Sequence, residues 1–181
     1  MIGILLRILS AWLLAFVALH PAPGAAAVDV AFYSKEFGAT FPHAFVTVEG
    51  TVDGTGEKVD ASYGFTAKTV SPAVLLGSVT GEIIASAPGY IAKSDRHILL
   101  RLSDGDYARL MATVEKWRGL AQPSYNLNHR NCVHFVADLA ATLGLHADVP
   151  RALVKKPRSY LQWLVRENRA LLAQRGAAIA E

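Results

Sequence analysis

The chain has 181 residues, of which 18 are Lys or Arg and 15 are Asp or Glu, so its formal net charge at pH 7 is +3. This small net positive charge does not predict a basic surface that would bind nucleic acid, so we expect no nucleic-acid partner. Cysteine occurs once, at position 132, which excludes an intramolecular disulfide.

The first 27 residues differ in character from the rest of the chain. Positions 1–19 are almost entirely apolar with Arg7 as the only charged residue, and prolines, a glycine and three alanines follow. This pattern predicts a secretory signal peptide that ends at residue 27. An uncleaved membrane anchor is the alternative, because the apolar run is close to the roughly 20 residues of a bilayer span. We therefore expect the remainder to be exported, in the periplasm or outside the cell, or held at the membrane if the segment stays.

Residues 28–181 are long enough for one domain with a hydrophobic core. Without Arg7, 17 basic and 15 acidic residues remain for this domain, and several of the basic ones lie near its C-terminal end. Alternating apolar residues predict short strands, and glycines predict a hairpin turn at 49–56. The predicted strands are 28–33, 44–48, 58–65, 81–86 and 96–102, with a helical turn within 69–76.

The second half of the chain has helical periodicity. Ser103 or Asp104 caps a helix over about 105–120, whose apolar residues recur with a period near 3.6. Asn131 caps the next helix, which ends at Gly144. A loop with two prolines leads to a last helix at 159–175. Strands followed by helices predict an α+β domain.

Cys132 lies at the predicted start of the second helix. A helix N-terminus favours a thiolate over a thiol, and its unpaired backbone N–H groups are suited to hold an oxyanion. The alternative is that Cys132 is an inert apolar side chain in the core.

His43 opens the apolar stretch 43–48, 89 residues upstream of Cys132. A thiol enzyme needs an imidazole near the sulfur, and this position on a strand would supply it. His129, in the loop before the cysteine, is the alternative base, and His43 as an ordinary loop histidine is the other interpretation. The spacing of Cys132, His129 and His134 matches no standard zinc site, so we expect neither a metal nor a cofactor.

The six residues Asn131-Cys132-Val133-His134-Phe135-Val136 are similar to the Asn-Cys-x-His-Phe-Val motif of the lecithin:retinol acyltransferase-like proteins. More broadly, the chain resembles the circularly permuted NlpC/P60 superfamily of papain-like thiol enzymes, in which the catalytic histidine precedes the cysteine. The tract 125–132, which begins with a tyrosine, resembles the approach to the cysteine in bacterial members. The resemblance covers about residues 28–146, and implies a small antiparallel sheet packed on the helix that carries the cysteine.

The resemblance implies that Cys132 is the nucleophile and that His43 is the general base and acid. A third polar residue is expected after the histidine, where Asp60, Ser62 and Glu57 are the candidates. We choose Asp60, because a carboxylate best orients an imidazolium. Three further polar residues are expected to lie near the oxyanion or to contact the catalytic residues. They are Asn131, His129 and His134.

The leading functional hypothesis is an exported cysteine hydrolase, peptidase- or amidase-like, that cleaves amide bonds of cell-wall peptides. The second is an acyltransferase or esterase like the lecithin:retinol branch, which acts on envelope lipids with peripheral contact to the membrane. The third is an envelope binding domain with an inactive site. A polar cleft beside Cys132 favours a peptide substrate, whereas an apolar tunnel favours an acyl chain.

Overall fold

The computed structural model describes residues 28–36 and 41–180. The predicted signal peptide or anchor at 1–27 lies outside this part of the chain. Six strands form one antiparallel sheet in the order β4-β3-β2-β1-β5-β6. They are β1 (Val28–Lys35), β2 (His43–Thr51), β3 (Lys58–Ala67), β4 (Gly81–Ile84), β5 (Asp95–Leu102) and β6 (Ala178–Ile179). The predicted strands are thus present, and the short β6 is an addition at the sheet edge.

Three helices have more than eight residues: α3 (Asp104–Arg118), α4 (Cys132–Thr142) and α5 (Pro157–Glu167). The shorter helices are α1 (Ala73–Leu76), α2 (Pro88–Ile91) and α6 (Arg169–Gln174), and a 3₁₀ turn spans Arg151–Leu153. Together with the sheet, these helices confirm the α+β class. Across residues 28–36 and 41–180, no helix is both long and apolar enough to span a bilayer.

The hydrophobic core lies between one face of the sheet and the three long helices. In β2, Ala44, Val46 and Val48 belong to this core, together with buried residues of α3, α4 and α5. Because side chains alternate along a strand, Phe45 lies on the opposite face, where its ring stacks on Tyr33 with centroids 5.2 Å apart. One face of β2 therefore packs on the helices, and the other face is turned away from them. His43, the first residue of β2, lies on the same face as Phe45.

The predicted helix at 159–175 is two helices, since α5 ends at Glu167 and α6 begins at Arg169. Asn168 lies at the break, and its side chain bonds to the backbone of His146. Oδ1 accepts from the His146 N–H at 2.7 Å, and Nδ2 donates to the His146 carbonyl at 2.8 Å. Periodicity did not reveal the break, because this tertiary contact comes from a loop more than 20 residues away.

Candidate active site

Asn131 fixes the start of α4. Its Oδ1 accepts hydrogen bonds from the backbone N–H of Val133 at 2.9 Å and of His134 at 3.4 Å. Its Nδ2 donates to the carbonyls of Leu127 and Val154, both at 2.8 Å. Asn131 is only 3% exposed, so these bonds are protected from water. Both ends of the amide are thus used to tie the helix start to two loops, and Asn131 acts as a cap rather than as an oxyanion donor.

Cys132 is the first residue of α4, and its side chain is 5% exposed. Burial raises the pKa of the thiol to about 11, although backbone N–H groups of Ala44, Val133 and Cys132 donate toward the sulfur and oppose that shift. The expectation of a lowered thiol pKa is therefore wrong for the free protein. The free-energy cost of removing a thiolate from water is larger than the stabilisation that the helix terminus and the N–H groups give to it.

A cavity of about 490 Å³ lies beside Cys132. Its walls come from the two residues before β2, the end of β3 with the loop and α1 that follow, the loop before α4 with the first residues of that helix, and the loop before α5. The walls are predominantly apolar, and Lys155 is their one charged residue in the part of the chain that is described. Apolar residues that line the cavity include Phe41, Val70, Val74, Leu75, Leu127 and Val154.

His43 is the first residue of β2 and shares a face of the strand with Phe45, whose ring it faces at 6.1 Å with the planes 15° apart. Its Nε2 lies over Gly64 of β3, where a Cβ atom would come within 2.4 Å of it. This nitrogen is buried and has no hydrogen-bond partner among the described residues. Burial lowers the pKa of His43 to about 4, so the ring is neutral at pH 7.

Cys132 and His43 approach each other through the backbone of β2. The sulfur is near the N–H of Ala44, the residue directly after His43. The imidazole, however, lies on the face opposite to the helices, and its unpartnered Nε2 makes no bond to the sulfur. The structure therefore brings the two residues to the same end of β2 without joining them as a hydrogen-bonded pair.

Asp60 does not contact His43 in this structure. It is exposed and lies opposite Glu49 in the β2–β3 register, six residues along β2 from His43. Six residues of extended chain span about 20 Å, which is beyond the reach of a carboxylate. Ser62 is also committed elsewhere, because its Oγ accepts from the Ser86 N–H at 2.7 Å.

The two histidines near Cys132 in sequence lie outside the walls of the cavity. Nδ1 of His134 accepts from the backbone N–H of Asn131 at 3.3 Å, which completes the cap, and burial lowers its pKa. His129 is exposed in the turn before α4. His43 lies outside these walls as well, and none of the three histidines is hydrogen-bonded to the sulfur in this structure. Among the described residues, no three His, Cys, Asp or Glu side chains group as a metal site.

Tyr125 is a site residue to which the sequence assigned no role. It lines the cavity together with Cys132, and its pKa is raised mainly by burial and to a lesser extent by the charge that Cys132 carries when it ionises. Two backbone hydrogen bonds to Val79, both at 2.9 Å, and packing on Phe65 hold it there. The tyrosine at the head of the tract 125–132 was the available signal, but sequence spacing alone does not show where a hydroxyl points.

The chain was compared with protein-family models, with curated proteins and with solved structures, and nothing matches in any of the three. The cysteine motif and the order of histidine and cysteine therefore remain the basis of the family resemblance, which stays a prediction.

Proposed function

We propose that this protein is a cysteine-dependent acyl hydrolase or acyltransferase whose substrate places an apolar acyl chain in the cavity beside Cys132. The cavity is the observation that carries the proposal, since its volume of about 490 Å³ is within the usual range for small-molecule sites. Its lining is predominantly apolar, which suits a hydrocarbon chain better than the polar stem peptides of a cell wall. The apolar lining thus favours a lipid substrate over a peptide amide.

The reaction has two stages. The sulfur of Cys132 attacks the acyl carbonyl carbon, an S–C bond forms, and the thiol proton moves to Nε2 of His43. The bond to the alcohol or amine then breaks, and the leaving group takes this proton from the imidazolium. Water, or an acceptor alcohol or amine, next attacks the thioester, which regenerates the thiol and releases the acid or the transferred acyl group.

The roles depend on the approach of the imidazole to the sulfur. Burial raises the thiol pKa to about 11 and lowers the imidazole pKa to about 4, so both groups are neutral at rest, and the proton moves only when the bound substrate brings the two groups together. The imidazole must turn from Gly64 toward the sulfur, and it breaks no hydrogen bond at Nε2 in doing so. The N–H of Ala44, which donates toward the sulfur, and the hydroxyl of Tyr125, which lines the same cavity, would serve as donors to the developing oxyanion.

The test measures kcat/KM for p-nitrophenyl esters and the matching anilides with acetyl, hexanoyl and decanoyl chains. We expect the rate to rise with chain length and to fall by about a hundredfold or more in Cys132→Ser and His43→Gln, the usual scale for loss of a nucleophile or general base. His146→Gln is the matched control, because that histidine is exposed and lies outside the cavity.

Other outcomes reject the proposal. Equal rates for acetyl and decanoyl chains would show that the cavity does not hold the acyl group. Cleavage of purified muropeptides without acyl turnover would restore the amidase hypothesis, and no Cys132-dependent turnover of any substrate would favour the binding domain. Addition of lysolipid or glycerol separates transfer from hydrolysis, because only transfer yields a new acylated product. Export to the cell envelope is a separate proposal that rests on residues 1–27.

A further inference from the structure

Four large apolar side chains are strongly exposed among the described residues, and they lie together around the mouth of the cavity. Phe41 is 65% exposed, Val70 62%, Leu75 74% and Leu76 89%. The first three line the cavity, and Leu76 follows Leu75 in α1. We call these four residues the apolar rim. Monomeric proteins seldom concentrate exposed apolar side chains in this way unless the surface has a partner.

The charges around the rim have one sign. The segments that form the cavity walls are 41–42, 66–76, 125–133 and 154–157, and they contain no Asp or Glu. They carry four exposed basic residues, which are Lys68, Arg130, Lys155 and Lys156. Within the described ranges, none of these four forms a salt bridge. Lys155 lines the cavity itself, and the other three lie in the same wall-forming segments, each adjacent in sequence to a lining residue.

We propose that the apolar rim and its four basic residues dock on the surface of a bilayer that contains anionic lipids. Apolar side chains with flanking lysines or arginines are the combination that enters the boundary between headgroups and acyl chains. The unpaired positive charges favour an anionic membrane over a second copy of this chain, whose own rim would repel them. The cavity opens within this surface, so an acyl chain passes from the bilayer to Cys132 without crossing water. Only this last step rests on the proposed function, because docking itself does not need the thiol.

The first experiment asks whether the rim itself enters the bilayer. Leu76→Trp introduces an indole at the rim, and Lys58→Trp introduces one at the far end of β3, away from the cavity. Both full-length variants are mixed with vesicles of phosphatidylcholine, with or without phosphatidylglycerol, and the emission of wild type is subtracted. We expect brominated acyl chains to quench the indole of Leu76→Trp in anionic vesicles and to leave that of Lys58→Trp unchanged. Binding through the N-terminal segment alone would leave both indoles unquenched and would overturn the proposal.

The second experiment asks whether the positive charges give the protein its preference for anionic vesicles. The double variant Lys68→Glu with Lys156→Glu is expected to bind anionic vesicles at least about tenfold more weakly than wild type. The control, Lys58→Glu with Arg166→Glu, has the same change of charge at exposed positions outside the cavity walls. Equal weakening by both pairs would contradict docking at the rim. A blue shift of the Leu76→Trp emission without vesicles, together with dimers in sedimentation, would assign the rim to a second copy. Cys132→Ser must dock like wild type, which separates failure of docking from failure of catalysis.

Discussion

Burial sets the protonation states of Cys132 and His43. It raises the pKa of Cys132 to about 11 and lowers that of His43 to about 4, so each group is neutral at pH 7. A preformed thiolate–imidazolium pair is therefore not the resting state of the free protein. A bound substrate that draws the ring to the sulfur would favour the ion pair, because each charge stabilises the other at short distance.

The pKa of His43 links its charge to stability. Because the folded state holds the pKa near 4 against 6.5 in the unfolded chain, the ring stabilises the fold fully above pH 6.5, and this contribution is lost as the pH falls toward 4. The loss amounts to roughly 2–3 kcal/mol. We expect urea unfolding to show a smaller decrease in stability between pH 7 and pH 4 for His43→Gln than for wild type. His146→Gln should keep the wild-type slope, and an unchanged slope in His43→Gln would contradict the assignment.

Gly64 provides the space in which the imidazole rests. A Cβ atom there would lie 2.4 Å from Nε2 of His43 and 3.2 Å from Cβ of Phe45, so Gly64→Ala must displace the ring. We expect a loss of stability of about 1–3 kcal/mol and a shift of the His43 ring resonances in NMR spectra. Gly89→Ala is the control, because nothing lies within 4 Å of its added methyl group. Equal stability of the two variants would show that the ring does not occupy this space.

At the scale of the element, α4 is positioned by its cap. Periodicity predicted the helix and its apolar stripe, and Asn131 predicted its first turn. The two bonds from Nδ2 to Leu127 and Val154 were not predictable, because they join the cap to loops whose approach depends on the whole fold. These bonds place Cys132 between the loop before α4 and the loop before α5.

Asn131→Ala removes this cap and leaves two partly buried carbonyl groups, of Leu127 and Val154, without their donor. We expect a destabilisation of about 2–4 kcal/mol, the sum of a lost cap and lost buried hydrogen bonds, measured by denaturant unfolding. Ser103→Ala is the comparison, since Ser103 caps α3 by accepting from the backbone N–H of Asp106 and also donates to the carboxylate of that residue, both through exposed hydrogen bonds. Its loss should cost about 1 kcal/mol. If the two variants are equally stable, the buried bonds of Asn131 do not hold the helix start.

Strand β2 shows what a local sequence pattern cannot predict about the orientation of a side chain. The alternation of β2 was visible in its sequence, and it implies that His43 and Phe45 share a face. Only the structure shows which face of β2 packs on the helices, because it places Ala44, Val46 and Val48 in the core. The sequence therefore predicted that His43 lies at the start of a strand, which the structure confirms, but it did not predict the direction of the ring.

At the scale of the whole molecule, the cavity mouth combines exposed apolar residues with unpaired positive charges. Leu75 and Leu76 belong to a helix of four residues in which no side chain is buried. Their side chains therefore contribute little to folding, and the proposed contact with a bilayer would give these exposed positions a reason to be apolar.

Leu75→Ser with Leu76→Ser tests this separation of function from stability. Because the two side chains are 74% and 89% exposed, we expect the melting temperature to change by no more than a few degrees. Aggregation at high protein concentration, followed by light scattering, should decrease as the exposed apolar area falls. Substitution of two buried leucines, Leu110→Ser with Leu139→Ser, is the contrast and should unfold the protein. A large loss of stability in the rim variant would show that these leucines are part of the core.

The sequence by itself determined the α+β class, the strands and helices, the cap at Asn131 and the position of Cys132 at the start of a helix. These features depend on local periodicity and on hydrogen bonds within one turn. Only the tertiary structure decided the pKa of the thiol, the orientation of His43, the separation of Asp60 from it, the place of Tyr125 and the apolar lining of the cavity. Each of these depends on which distant segments exclude water from the same space, and that is a property of the packed chain rather than of any stretch of its sequence.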